Sequence, residues 1–253
     1  MLRMLNEVAG YRLEAEDGAL GAVKDFLFDE EFWTVRHMVA DTRKWLPGRK
    51  VLVSPMSINA VDWTSRKVDV VMTKEDVQKA PELDEDAPVS REYERRWYDA
   101  YGMPYYWGTP AGAWGGVMFP ADLVGAGQPP EAAKEKEDPE EDRRVLRSAA
   151  EVAGYHIQTG DGEIGHVDDY IFDDETWTIR YLVVDTRNWL PGRNVLLAPG
   201  WLDSIYWADR DVTTSLSREA VQRAPEFDPS VPVNREYEQR LYDYYGRPVY
   251  WNP

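Results

Sequence analysis

The stretch Glu7-Val8-Ala9-Gly10-Tyr11 returns as Glu151-Val152-Ala153-Gly154-Tyr155, 144 residues later, and the offset then runs without a gap to Trp107 and Trp251. Of the 101 paired positions from Glu7 to Trp107, 52 are identical, far beyond chance for two unrelated segments. The chain is therefore a duplication. Identity is uneven: Asp41 to Leu52 matches Asp185 to Leu196 at ten of twelve positions, whereas Met56 to Lys74 matches at three of nineteen. Something restrains the first stretch.

Within each copy, apolar residues alternate in short runs broken by turn signals, the pattern of short antiparallel strands. Strands are predicted near Tyr11 to Ala15, Ala19 to Phe28, Trp33 to Asp41, Arg49 to Ser54, Ile58 to Trp63 and Lys67 to Met72. Glu16-Asp17-Gly18 and Gly160-Asp161-Gly162 supply the glycine a tight hairpin requires, and Asp29-Glu30-Glu31 and Asp173-Asp174-Glu175 are polar breaks. Six such strands close into a small barrel or a strongly curled sheet, so the predicted class is mainly β.

Thr73-Lys74-Glu75-Asp76 reads as a capping box opening a short helix that Pro81 ends, although Ala220 replaces the acid in the second copy. A second helix runs from the N-caps Ser90 and Asn234 to Gly102 and Gly246. Its apolar face is Tyr93, Trp97 and Tyr101 in one copy and Tyr237, Leu241 and Tyr245 in the other. Residues 1–107 thus form the first repeat with its helical, aromatic tail, and residues 145–253 the second. Residues 108–144, rich in Gly, Ala and Pro and then in mixed charge, form a linker. Trp114-Gly115-Gly116-Val117-Met118-Phe119-Pro120 within it is too apolar for a solvated linker, and either packs on a neighbouring barrel or binds a partner.

Composition narrows the function. A formal charge of −17 repels nucleic-acid backbones and anionic lipid, so nucleic acid is not expected as a ligand. The absence of cysteine removes disulfides, thiolate nucleophiles and cysteine-bound metals, and fits a reducing cytoplasm. No signal-peptide pattern opens the sequence and no run of about 18 apolar residues occurs in it, so a soluble chain without a transmembrane segment is expected. His37, His156 and His166 face Tyr181, Arg12 and Ala22 in the other copy, so no histidine is repeated and none stands at metal-ligand spacing along the chain. The acidic runs lack the alternating ligands of a calcium loop. No nucleophile motif, phosphate loop or dinucleotide fingerprint is present. The expectation is a non-enzymatic protein without cofactor or metal.

Both copies resemble the PRC-barrel family, small β-barrels similar to the cytoplasmic domain of the photosynthetic reaction-centre H subunit and to the C-terminal barrel of a ribosome maturation factor. The resemblance rests on several features: the Gly-Tyr strand, the Asp-Gly-x-x-Gly turns at Asp17 to Gly21 and Asp161 to Gly165, and Phe28-Asp29 with Phe172-Asp173. It also rests on the run Val183 to Arg193, and on Arg235-Glu236-Tyr237 and Asp243 to Pro248 of the tail. It covers about 85% of the chain. It implies two tandem six-stranded PRC-type barrels, each followed by short helices. It also implies docking onto larger assemblies and self-association: an adaptor whose protein partner the sequence does not identify, with a homodimer as one option. The alternative is a photosynthesis-associated electron-transfer accessory like the H subunit, with buried acids tuning proton delivery to a quinone.

Two candidate docking surfaces follow. In Asp41-Thr42-Arg43-Lys44-Trp45-Leu46-Pro47-Gly48-Arg49 and its twin, Asp41, Arg43, Trp45, Leu46 and Arg49, with Asp185, Arg187, Trp189, Leu190 and Arg193, offer an aromatic anchor beside bidentate donors. The competing reading pairs Asp with Arg inside the module and uses Trp to cap the barrel mouth. The second surface is Tyr93, Trp97, Tyr101, Tyr237 and Tyr245, a face that needs cover from its own barrel, the other barrel or a second chain.

Overall fold

The computed structural model describes residues 1–84, 86–107, 114, 119–126, 145–186 and 193–251, with backbone alone at 125 and 126. In chain order the first elements are β1 (Leu2–Met4), α1 (Leu5–Val8), β2 (Arg12–Ala15), β3 (Gly18–Phe28) and β4 (Val35–Asp41). Next come β5 (Val51–Val53), β6 (Ile58–Asp62), β7 (Lys67–Val70), α2 (Lys74–Lys79), α3 (Arg91–Tyr101) and α4 (Pro120–Ala126). Then follow β8 (Arg147–Ser148), α5 (Ala149–Val152), β9 (His156–Thr159), β10 (Gly162–Asp173) and β11 (Ile179–Asp185). The chain finishes with β12 (Asn194–Leu197), β13 (Leu202–Tyr206), β14 (Asp211–Thr214), α6 (Arg218–Gln222) and α7 (Arg235–Tyr245).

Contacts divide the chain into two compact units, one of Glu7–Ala150 with Glu175–Thr178, the other of Met1–Asn6 with Glu151–Asp174 and Ile179–Pro253. They are called here the copy-one and copy-two units. The fold is mainly β, with one sheet in each unit. In copy one the strand order is β5-β4-β3-β2-β7-β6, and in copy two it is β12-β11-β10-β9-β14-β13. The six strands read in each copy are present, their ends displaced by one or two residues. Two features escaped the sequence. β2 pairs with β7 in parallel, as β9 does with β14, where the reading had antiparallel strands throughout. Each sheet also has a seventh strand from beyond its own copy: β8 lies on β3, and β1 lies on β10. Two-residue and three-residue strands carry no periodicity to read.

The same side chain secures both added strands. Asp25 accepts hydrogen bonds from Ser148 Oγ at 2.5 Å and Ala150 N at 3.0 Å, and its counterpart Asp169 accepts from Asn6 N at 3.1 Å. Opposite β4, Gly21 (φ +149) sits at a bulge where an added Cβ would lie 2.0 Å from the Asp41 carbonyl oxygen, and Gly165 (φ +142) repeats this against Asp185. Only glycine fits there.

The helix signals hold. Thr73 accepts from Asp76 N while the Asp76 carboxylate accepts from Thr73 N, a reciprocal capping box. The hairpin Asp17 adds a second cap, accepting from Lys74 N at 2.9 Å, and Asp161 does the same for Arg218 N at 3.1 Å. Ser90 and Asn234 cap α3 and α7, which end in left-handed Gly102 and Gly246. The copy-one core is built on Leu13, Leu20, Phe28, Val35, Met38 and Val53, all essentially inaccessible to solvent. Across it α3 lays Tyr93, Trp97 and Tyr98, each buried.

Candidate functional site: a duplicated arginine–tyrosine shelf

Strand β4 carries Arg36 and His37 into the copy-one unit, and both are fully buried. An arginine taken out of water needs its charge answered at close range. Arg36 Nε donates to Asp29 Oδ2 at 2.7 Å and Nη1 donates to the Trp114 carbonyl at 2.5 Å. The Arg36 guanidinium also lies 3.8 Å above the Tyr106 ring and 4.9 Å from the Trp114 ring. The Tyr106 hydroxyl accepts from Arg91 Nη1 at 2.6 Å and donates to Glu94 at 3.1 Å. Arg91 completes the circuit with Glu94 at 3.0 Å and stands 4.1 Å over Trp107. Burial, with Glu94 close by, pushes the Tyr106 hydroxyl well above its usual range, so it stays protonated.

Copy two rebuilds this arrangement from the same residue types. Arg180 reaches Asp173 at 3.4 Å and lies 4.3 Å over Tyr250. The Tyr250 hydroxyl donates to Glu238 at 2.8 Å, Arg235 pairs with Glu238 at 2.9 Å, and Arg235 stands 4.1 Å over Trp251. Two differences separate the copies. Position 37 is histidine and position 181 is tyrosine. The copy-one shelf is also covered: the Arg91 side chain is 5% exposed, whereas Arg235 is 55% exposed. Part of the cover is Trp114, wholly buried, with its indole N–H donating to the Thr176 carbonyl at 2.7 Å.

A cavity of about 370 Å³ borders the copy-one shelf, with Asp29, Arg91, Glu94, Tyr106, Trp107 and Leu146 among its walls. Arg91 Nε is buried there without an acceptor among the described residues. Mixed charge and stacked rings suit the cavity to holding a polar group.

Of the residues singled out from the sequence, Asp41 and Arg43 form a bidentate pair at 2.8 and 2.6 Å, and Arg43 holds the Asp41 carboxyl at about 2. Trp45, half-buried, donates its indole N–H to the Leu20 carbonyl at 2.7 Å, and Leu46 N donates to the Thr42 carbonyl at 2.8 Å. Arg49 donates to the carbonyls of Gln78 and Ala80, and Arg193 to those of Gln222 and Ala224. These arginines therefore satisfy the last carbonyls of α2 and α6. Asp185 is buried; Arg187, Trp189 and Leu190 lie outside the described residues. Tyr93 donates to the Pro81 carbonyl at 2.8 Å, and burial pushes its hydroxyl up to about 12. Tyr237 repeats this bond with Pro225 at 3.1 Å. Trp97 is buried against His37 and Tyr101, and Tyr245 packs on Trp201. The helix aromatics thus find cover inside their own units.

The shelf itself was not read from the sequence, although its arginines, glutamate and tyrosine are identical in both copies. A second constellation also escaped. His166, Asp168 and Asp185 each bring one ligand atom within 4.8 Å of the others, a set suited to a borderline divalent ion such as Zn²⁺ or Mn²⁺. They come from β10 and β11, so spacing along one segment does not reveal them. Copy one has Ala22, Lys24 and Asp41 at these places, and there Arg43, with a smaller share from Lys24, supplies the positive charge beside the carboxylate.

Comparison with protein-family models finds no match for this chain, and a search of curated proteins finds none either.

Proposed function

We propose that the chain is a non-enzymatic adaptor built from two PRC-type barrel modules, which holds a protein partner through exposed side chains. The barrel reading draws on the chain path: the outer strands β5 and β6 of one sheet are joined only by the turn Pro55–Ser57, as β12 and β13 of the other are by Pro199–Trp201. The observation that carries the functional reading is the shelf, kept in both copies, with Arg91 buried in one and its counterpart Arg235 exposed in the other. Arginine stacked on tyrosine and tryptophan is the chemistry of protein interface anchors. The Trp45 loop serves its own unit, so docking is assigned to the shelf.

The test is affinity capture from cell lysate with the whole chain, an Arg235→Ala/Trp251→Ala variant and a Trp45→Ala/Trp189→Ala variant. A stoichiometric partner retained by the wild type and the loop variant but lost by the shelf variant supports this assignment. If the wild type retains nothing beyond an unrelated protein of equal negative charge, the adaptor reading fails.

A further inference from the structure

His166 and Asp185 face each other as register partners across β10 and β11, and the register slips between Val167 and Asp169, leaving Asp168 as the extra residue of a bulge. One imidazole nitrogen and two carboxylate oxygens meet there within 4.8 Å of one another, with His166 Nε2 3.9 Å from Asp185 Oδ2. Asp185 is the fixed corner, its side chain 2% exposed, whereas His166 is 32% exposed and Asp168 is open to solvent. The Asp185 carboxylate is engaged by other groups of its unit as well. An ion does not require it to give them up, because each carboxylate oxygen has a second lone pair and ligating carboxylates are as a rule hydrogen-bonded from outside.

Copy one is the internal contrast. Ala22 and Lys24 stand where His166 and Asp168 stand, so the same places carry a fixed cation in one copy and two added donors in the other. Lys24 lends Asp41 positive charge. Asp168 instead sets a second carboxylate beside Asp185, and Asp185 is far more buried than Asp41, whose side chain is 30% exposed. Two carboxylates so placed repel each other until a cation lies between them.

We propose that His166, Asp168 and Asp185 bind one Zn²⁺, with the fourth position left to water, and that the ion ties β10 to β11. The inference is independent of the adaptor reading. Zinc–ligand bonds of about 2.0–2.2 Å set tetrahedral donors about 3.3–3.6 Å apart, so the two more exposed side chains need to close in by roughly 1 Å. One imidazole with two carboxylates suits zinc. Ca²⁺ takes about six to eight oxygens and Mg²⁺ demands a near-ideal octahedron, neither of which this donor set supplies.

The test is calorimetric titration of zinc chloride into the untagged full chain, freed of metal by chelator and dialysis. One ion should bind per chain with a Kd below about 10 μM, and zinc should raise the melting temperature. His166→Ala and Asp168→Lys, the second copying Lys24, should each weaken binding by about tenfold or more; circular dichroism confirms that they fold, and should one of them unfold, the other decides. His156→Ala removes an exposed histidine 3.2 Å from Glu163 and should leave the affinity unchanged. Ca²⁺ at about 1 mM should not displace the zinc. Absence of saturation up to about 1 mM zinc, displacement by Ca²⁺, an affinity indifferent to His166 or Asp168, or an equal loss on His156→Ala overturns the inference.

Discussion

Tyr181 stands where His37 stands 144 residues earlier, and each faces the buried glutamate of its unit: the Tyr181 hydroxyl donates to Glu238 at 2.7 Å, and His37 Nε2 lies 3.5 Å from Glu94. The tyrosine brings its own proton and completes the circuit without a charge. The imidazole must do so where a charge is costly.

That difference gives copy one a pH dependence that copy two lacks. Burial holds His37 below its ordinary 6.5; Glu94 opposes this, while Arg36 and Arg91 act with burial. The unfolded chain therefore takes up a proton near pH 6.5 that the folded chain resists, so this contribution is complete above that pH and is lost as the pH falls below it. Urea unfolding at pH 7, 6 and 5 should show a steeper loss for the wild type than for His37→Tyr. Equal slopes would contradict a neutral, buried His37.

Removing Arg36 leaves Asp29 as an unanswered buried charge. Arg36→Ala should cost about 3–5 kcal/mol, measured from the shift in urea midpoint. Arg180→Ala should cost clearly less, because Arg180 and Asp173 keep side-chain exposures of 13% and 20%, against 0% and 11% for Arg36 and Asp29. Equal losses would count against the distinction between a covered and an open shelf.

Gly21→Ala and Gly48→Ala both place a side chain at positive φ, but only the first drives a Cβ to 2.0 Å from a carbonyl oxygen, and Gly48 has nothing within 4 Å. Gly48→Ala should cost about 1–2 kcal/mol of backbone strain. Gly21→Ala should cost more than about 3 kcal/mol, since β3 and β4 must part to admit it. Thermal melts of the two variants decide the matter by their difference.

The second copy lacks half of a helix cap that the first possesses. Ser217 accepts from Ala220 N at 3.1 Å, with no acid to return the bond. Ala220→Asp should add about 0.5 kcal/mol, whereas Asp76→Ala should remove a similar amount from copy one. A drop in melting temperature for Ala220→Asp would refute the transfer.

Strands, hairpin turns and helix caps were legible because each is written in neighbouring residues: Gly18 after Asp17, Thr73 before Asp76, Ser90 before Arg91. The shelf was not, because Asp29, Arg36, Glu94 and Tyr106 come from a loop, a strand, a helix and the tail, and charged residues on strands and helices read as solvated faces. The identity of these residues in both copies was the available signal. The same holds for His166, Asp168 and Asp185, which only the pairing of β10 with β11 brings together. The parallel pairing of β2 with β7 also lay beyond sequence reading, since it joins strands far apart along the chain and not through any hairpin.

Placement of β1 on β10 and of β8 on β3 gives the order of translation a physical meaning. A nascent chain that has reached only Trp107 carries every strand of its own repeat, yet Leu27 and Phe28 still lack the backbone partners that arrive with Arg147 and Ser148. Leu2, Arg3 and Met4 are made long before Asp173, Phe172 and Ile171, which must follow before they have a strand to join. Such bare edges invite mispairing while they last, so synthesis of either repeat alone yields a polypeptide short of one strand.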